Sequence, residues 1–385
     1  MNHKTKAKIE QTIFMVLSFC GFAVVGGYIG YFLGYIEKNS GRRLAGKELI
    51  IALVVSLLVI AVAYYINLCL HEVGHMIFGL LSGYRFNSLR FGKLMLVKRE
   101  GKLHFARYDL PGTGGQCIMS APEGDAEHMP VVLYNLGGLF VNLAVVLTGT
   151  VLFLVLKDTV PYAGMVFFTL AFTALILLIT NGIPLSQIGN DGANTIILYK
   201  NKRAREAFRN QLEVINYLAN DCGIHEIPAE YLAFDRSVPM NDPLITSQAV
   251  NHYNYLIAAK RFAEAKELAQ FILDNAGSIN QIHEKILYGE LVFLTAVIDR
   301  NAEEAKKIYA AHAKELKAVA GYISVQRVLY AYYTLVEPDE KKAADFAKRF
   351  ANTVKHYPYP KDAAGEQEQF DMVAEAVKAK TTEEN

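Results

Sequence analysis

The sequence predicts a mainly α-helical chain in two parts. The first is a polytopic helical membrane domain of about four spans with a small membrane-associated β-hairpin; the second is a soluble α-helical repeat domain. Three observations predict this. Of the 385 residues 52% are hydrophobic, and nearly all long apolar runs lie before Tyr199. Most charged residues lie after Tyr199 or between Arg85 and Arg107. Similar phrases recur along the charged C-terminal half. One mixed globule would blend these compositions, so the expected division is a membrane domain over residues 1–200 and a cytoplasmic helical domain over 201–385.

The membrane elements come first. The runs 13–36, 49–81, 131–156 and 162–183 each supply the roughly 20 apolar residues that cross a hydrocarbon core. Lys4, Lys6 and Lys8 precede the first run as they would in a signal peptide, but the run is long enough to span and no small-residue cleavage site closes it. Basic residues set the orientation. Those three lysines, the cluster Lys200, Lys202, Arg203, Arg205 and Arg209, and the basic segment between the second and third runs all favour the inside. Both termini are thus expected on the cytoplasmic face of a cell membrane, and a bacterial plasma membrane fits. Gly26, Gly30 and Gly34 recur every fourth residue, a spacing that lets helices approach closely. Packing within the chain is the expected use.

Over residues 86–110 apolar and basic residues partly alternate around Glu100-Gly101, which predicts a β-hairpin. The run Pro111-Gly112-Thr113-Gly114-Gly115 is expected to break regular structure. Gly114, Gly115 and Gln116 can present bare backbone to a substrate, or serve as an ordinary connector.

After Lys200 the chain reads as helical. Phe262-Ala263-Glu264-Ala265, Asn301-Ala302-Glu303-Glu304-Ala305 and Pro338-Asp339-Glu340-Lys341-Lys342-Ala343 each open a helix, at a period of roughly 40 residues. About three degenerate helical hairpins of tetratricopeptide-like kind are expected, with a groove for a protein partner. The net charge of +1 provides no basic field for nucleic acid. Four scattered cysteines without a CxxC pair suggest neither a disulfide framework nor a thiolate metal site.

The chemistry gathers on His71-Glu72-Val73-Gly74-His75, an HExxH motif. On a helix the two histidines, at i and i+4, share a face and reach one metal ion, while Glu72 stands beside them to act on a bound water. The motif lies in or at the end of an apolar run, where unpartnered polar side chains cost several kcal/mol. Zinc in a catalytic site takes a third protein ligand and keeps an open position. Asp191, a hard oxygen ligand following the fourth run, is the expected third ligand. His225-Glu226 and His283-Glu284 lack a second histidine, so they are not expected to bind metal; His104 is expected exposed and His252 packed.

Over roughly residues 64–198 the chain resembles the site-2 protease family of intramembrane zinc metalloproteases. The resemblance rests on HEVGH, on Asn181-x-x-Pro184 followed by Asp191-Gly192, and on Gly138-Leu139-Phe140-Val141-Asn142. It implies one zinc ion held by His71, His75 and Asp191, Glu72 as general base, and Asn142 pointing toward the metal centre to hold substrate or the oxyanion. A helix-packing amide is the competing role for Asn142. Two features depart from the family: Asn190 replaces an apolar residue before the aspartate, and the loop from Pro184 to Asp191 is longer than usual. The expected substrate is a membrane-bound protein or peptide within the lipid bilayer. The alternative is a non-catalytic metal-binding membrane scaffold whose helical tail binds partner proteins. A transporter is disfavoured, because inverted repeats of the spans are not visible.

Overall fold

The computed structural model describes residues 3–108, 113–185 and 189–383, without the side chains of 3–11, 13, 14, 17, 18, 20 and 380–383. Pro111 and Gly112 of the glycine-rich run lie outside the described residues. Two compact units emerge, residues 1–82 with 130–196, and residues 83–129 with 197–385.

The first unit contains α1 (His3–Ser40), α2 (Lys47–Leu81), α3 (Val131–Leu156), α4 (Pro161–Gly182) and the start of α5 (Asp191–Lys200). Among the described residues α2, α3 and α4 are long and apolar enough to cross a membrane. The first expected span, 13–36, falls within α1, part of whose side chains lie outside the described residues.

The composition of α2 is inverted relative to a soluble helix. Its buried stripe is small and polar, with Ala52, Ser56, Ala63, Asn67, His71, Gly74 and His75. Its exposed face carries Ile50, Ile51, Val54, Leu57, Leu58 and Val62. Small residues inside and large apolar residues outside are what helix packing in lipid favours, because lipid gives Leu and Val no reason to turn inward. α3 and α4 pack as a pair with α2 against both. Asn67 ties α2 to α4 by donating to the Leu170 carbonyl at 2.9 Å and to Thr173 at 2.7 Å. Tyr28, Phe32 and Tyr35 of α1 pack with Met165. The rings of Tyr28 and Phe172 stack at 4.7 Å, and the Tyr35 hydroxyl donates to the Lys157 carbonyl at 2.9 Å. The contact face of α1 is therefore aromatic. Among the described residues nothing lies within 4 Å of where side chains at Gly26, Gly30 and Gly34 would begin, so no described neighbour makes the internal packing expected of this stripe.

In the second unit β1 (Arg85–Phe91), β2 (Leu94–Arg99), β3 (Lys102–Arg107) and β4 (Gly115–Ser120) form an antiparallel sheet in the order β3-β2-β1-β4. The expected hairpin is its β2–β3 part, turned by Glu100 and Gly101 at φ of 46° and 79°, the positive-φ pair of a tight hairpin turn. Gly115 opens β4, so the glycine-rich run ends in a strand. Met95 and Val97 of β2 pack with Ala219 and Tyr359.

The helices of this unit are α6 (Lys202–Ala219), α7 (Ala229–Leu232), α8 (Pro243–Ala258), α9 (Phe262–Asn275), α10 (Gln281–Phe293), α11 (Ala302–Ala318), α12 (Ile323–Ala331), α13 (Glu340–His356) and α14 (Pro360–Glu383). The pairs α8 with α9, α10 with α11 and α12 with α13 pack together. Side chains of Asp242, Asn280, Asn301 and Asp339 cap α8, α10, α11 and α13, accepting from backbone N–H groups that a helix start leaves unpaired. α10 and α12 both run into a wide π-type turn, Leu294–Ile298 and Tyr332–Val336, before the next cap. The expected phrases thus open α9, α11 and α13.

Candidate metal centre

The HEVGH motif lies on the last turns of α2, and His71, Glu72 and His75 are all buried. Glycines bring the neighbouring elements in. A Cβ on Gly74 would stand 2.5 Å from the Gly137 carbonyl oxygen, and one on Gly137 would stand 2.6 Å from that of Gly74. The backbones of α2 and α3 therefore touch at a point where any side chain would force them apart. One turn of α2 away, a Cβ on Gly138 would meet the His71 ring at 2.5 Å. Gly192 repeats the device between α5 and α4, where a Cβ would lie 2.3 Å from the Gly182 carbonyl oxygen.

Asp191 opens α5, and its position is set by Asn190. The Asn190 side chain accepts from the backbone N–H of Leu185 and Ala193, both at 3.1 Å. It donates to the carbonyls of Thr180 at 2.9 Å and Ile183 at 2.6 Å. One buried amide thus caps α5 and fastens it to the end of α4. The departure noted in the sequence is a structural staple.

The result is a triangle of ligand atoms. His71 Nε2 lies 3.0 Å and His75 Nε2 3.4 Å from Asp191 Oδ2, and the two nitrogens are 3.1 Å apart. Ligand atoms bound tetrahedrally to zinc at 2.0–2.1 Å stand about 3.3 Å from one another. The three edges fit that geometry. His71, His75 and Asp191 form the group among the described residues able to hold a metal ion.

The outer ring nitrogens support this fit. His75 Nδ1 lies 2.8 Å from the Tyr134 carbonyl oxygen, so Nδ1 carries the proton and Nε2 offers a lone pair inward. His71 Nδ1 lies 3.0 Å from the Asn142 amide. An imidazole bound through Nε2 is a donor at Nδ1, so the Asn142 oxygen is the atom that belongs there, an assignment made by network because amide oxygen and nitrogen look alike. Both orienting groups come from α3.

The expected ligands therefore converge, and Asn142 touches His71. Gly114, Gly115 and Gln116 belong to the other unit. Their backbone is engaged with β1: the Gly92 N–H donates to the Gly114 carbonyl at 2.8 Å, and Phe91 and Arg90 pair with Gly115 and Gln116. The outer edge of β4 has no strand partner among the described residues. His104 is exposed, and His252 packs near the Leu232 carbonyl at 3.1 Å. Sequence reasoning missed Tyr134, whose contribution is a backbone oxygen, and Asn67. The latter is one turn before His71 on the same face, and that spacing was the available signal. Compared with known proteins, the chain matches no family model, no curated sequence and no solved structure.

Proposed function

We propose that this chain is an intramembrane zinc metallopeptidase that hydrolyses a peptide bond of a membrane-bound protein or peptide. One observation carries the reading: two imidazole nitrogens and a carboxylate oxygen meet within 3.0–3.4 Å among helices whose outward faces are apolar. Two histidines and one carboxylate suit zinc and leave one coordination position open. A bound zinc ion supplies Lewis acidity, polarising the scissile carbonyl and bringing the pKa of its water toward about 7.

The chain's own groups supply the rest. His71 and His75 would hold the ion through Nε2, with their rings oriented by the α3 groups at their outer nitrogens. Glu72 takes the proton of the attacking water and passes it to the leaving amine. Asn142 acts as a positioning residue for His71, since its amide is taken up by that ring. A helical substrate has its carbonyls bonded within the helix and must unwind to be cut. Basic residues at both ends of the membrane part favour cytoplasmic termini.

Metal analysis of the full chain purified in detergent tests the centre. About one zinc per chain is expected in the native protein and in Glu72→Gln, and little in His71→Ala or Asp191→Ala. Comparison of membrane-protein fragments in cells expressing the native chain or Glu72→Gln tests the chemistry. Fragments should vanish and uncut precursors accumulate in the variant. Identical fragment profiles with zinc retained would leave a metal-binding scaffold in place of the peptidase.

A further inference from the structure

The β2–β3 hairpin has two unlike faces. Its register pairs Leu94 with Arg107, Leu96 with Phe105 and Lys98 with Leu103, and residues directly opposite in an antiparallel pair project to the same side. Met95 and Val97 alternate with these and project to the other side, where they are buried with Ala219 and Tyr359. The outer face is open instead. Phe105 is 90% exposed, Leu94 63% and Leu103 59%. One apolar side chain on a surface needs no explanation, but three together on an edge strand and its neighbour invite a partner.

Charge selects that partner. Lys98 and Arg107 stand on the same face, both exposed, and neither forms an ion pair among the described residues. Lys93 and Lys102 are exposed beside it. Glu100, the acid of residues 93–107, sits in the turn, where its N–H donates to Asn220 at 3.2 Å. The face therefore calls for an occupant that is both apolar and anionic. The headgroup layer of an anionic bilayer is both: acyl chains receive the apolar side chains, while long basic side chains lay their stems along apolar surface and reach phosphate with their tips. Chain connectivity brings this occupant within reach. α2 is long and apolar enough to span a membrane, and it stays apolar on its exposed side to its last residues, with Leu80 51% and Leu81 73% exposed. Residues 82–84 alone separate it from β1, a link that spans at most about 14 Å when fully extended.

We propose that the outer face of the β2–β3 hairpin docks on an anionic bilayer surface. Leu94, Leu103 and Phe105 enter the headgroup layer, and Lys98 and Arg107 meet lipid phosphates. The elements carrying Ala219 and Tyr359 are thereby anchored to the membrane as well. The sequence suggests a membrane-associated hairpin; the register fixes which face is used and which lipid charge it takes. The proposal uses α2 as a span and owes nothing to the metal centre, so it stands or falls separately from peptide hydrolysis.

The chain has no tryptophan, so Phe105→Trp puts a single fluorescent reporter on this face. The full-length variant is reconstituted in nanodiscs of phosphatidylcholine, alone or mixed with phosphatidylglycerol, with acyl chains plain or brominated near the headgroup. Bromine should quench the emission in anionic discs and far less in neutral ones. Adding Lys98→Glu and Arg107→Glu should weaken docking about 10-fold or more, with helix content unchanged by circular dichroism. Emission reached by acrylamide but not by bromine would put the face in water. Emission shielded from both would put it against protein, a second copy included. Either result overturns the proposal, as does equal quenching in neutral and anionic discs or in the charge-reversed variant.

Discussion

The ring of His71 is held at its outer nitrogen by Asn142 and flanked by Gly138. Removing an orienting partner of a metal-bound histidine typically weakens metal binding by about 10–100-fold. Asn142→Ala should do so with helix content unchanged, read by competition with a chelator of known affinity; unaltered affinity would detach Asn142 from the centre. A second residue-scale expectation concerns Asp362. Burial first, and then the charge of Glu366, raise its carboxyl to about 6 from an ordinary 3.8. A folded-state value above the unfolded one means the folded chain holds this proton more tightly. That contribution is complete below about pH 4 and is lost as pH rises through 6. Asp362→Asn should therefore be the more stable protein above pH 6, by on the order of 1–2 kcal/mol, with the difference vanishing near pH 4 in denaturant titrations. The convergence of His71, His75 and Asp191 was legible because helical spacing brings i and i+4 together, and because a carboxylate at the end of an apolar run needs a partner. The Tyr134 carbonyl was not, since a backbone acceptor carries no side-chain signature.

At the scale of elements, glycine and asparagine placement explains both what the sequence revealed and what it concealed. Small residues at a spacing of four allow close approach but do not say which face is covered. Gly26, Gly30 and Gly34 have the spacing without a described neighbour, whereas Gly74, Gly137 and Gly192 make backbone contact without an obvious pattern. Asn190 looked like a departure because its role depends on carbonyls of the preceding helix, which only the fold supplies. Asn190→Ala removes the cap of α5 and two bonds to the end of α4. A lost cap alone costs about 1 kcal/mol. The variant should melt earlier and hold less zinc, although no ligand has been touched; full zinc content at native affinity would contradict the staple. β4 escaped notice for a similar reason. It pairs with β1 across a long sequence gap, which local alternation does not report, while the β2–β3 turn announced itself through Glu100-Gly101.

At the scale of the whole molecule, compositional asymmetry revealed a membrane part and a helical part, but not that the sheet segment between the second and third apolar runs packs with the C-terminal helices. The reason lies in Met95 and Val97, whose partners Ala219 and Tyr359 are more than a hundred residues away in the chain. The outward faces of α2, α3 and α4 are apolar, with Leu58, Leu147 and Val155 about 60% exposed, and burying such surface in water-free surroundings is favourable by roughly 25 cal/mol per Å². The chain should stay in the membrane pellet through alkaline carbonate extraction and enter solution only with detergent. Release by carbonate alone would exclude spanning helices.

α3 supplies the outer grip on both imidazoles, so the proposed metal centre would couple metal supply to membrane assembly. A slide of one residue, about 1.5 Å along the axis, would unhook both rings together, so a filled centre rivets α3 to α2. By mass action an ion at 100 times its dissociation constant adds about 2.7 kcal/mol to that rivet. Under the proposed function, cells starved of zinc would hold a looser bundle, prone to clearance by quality control before any question of turnover arises.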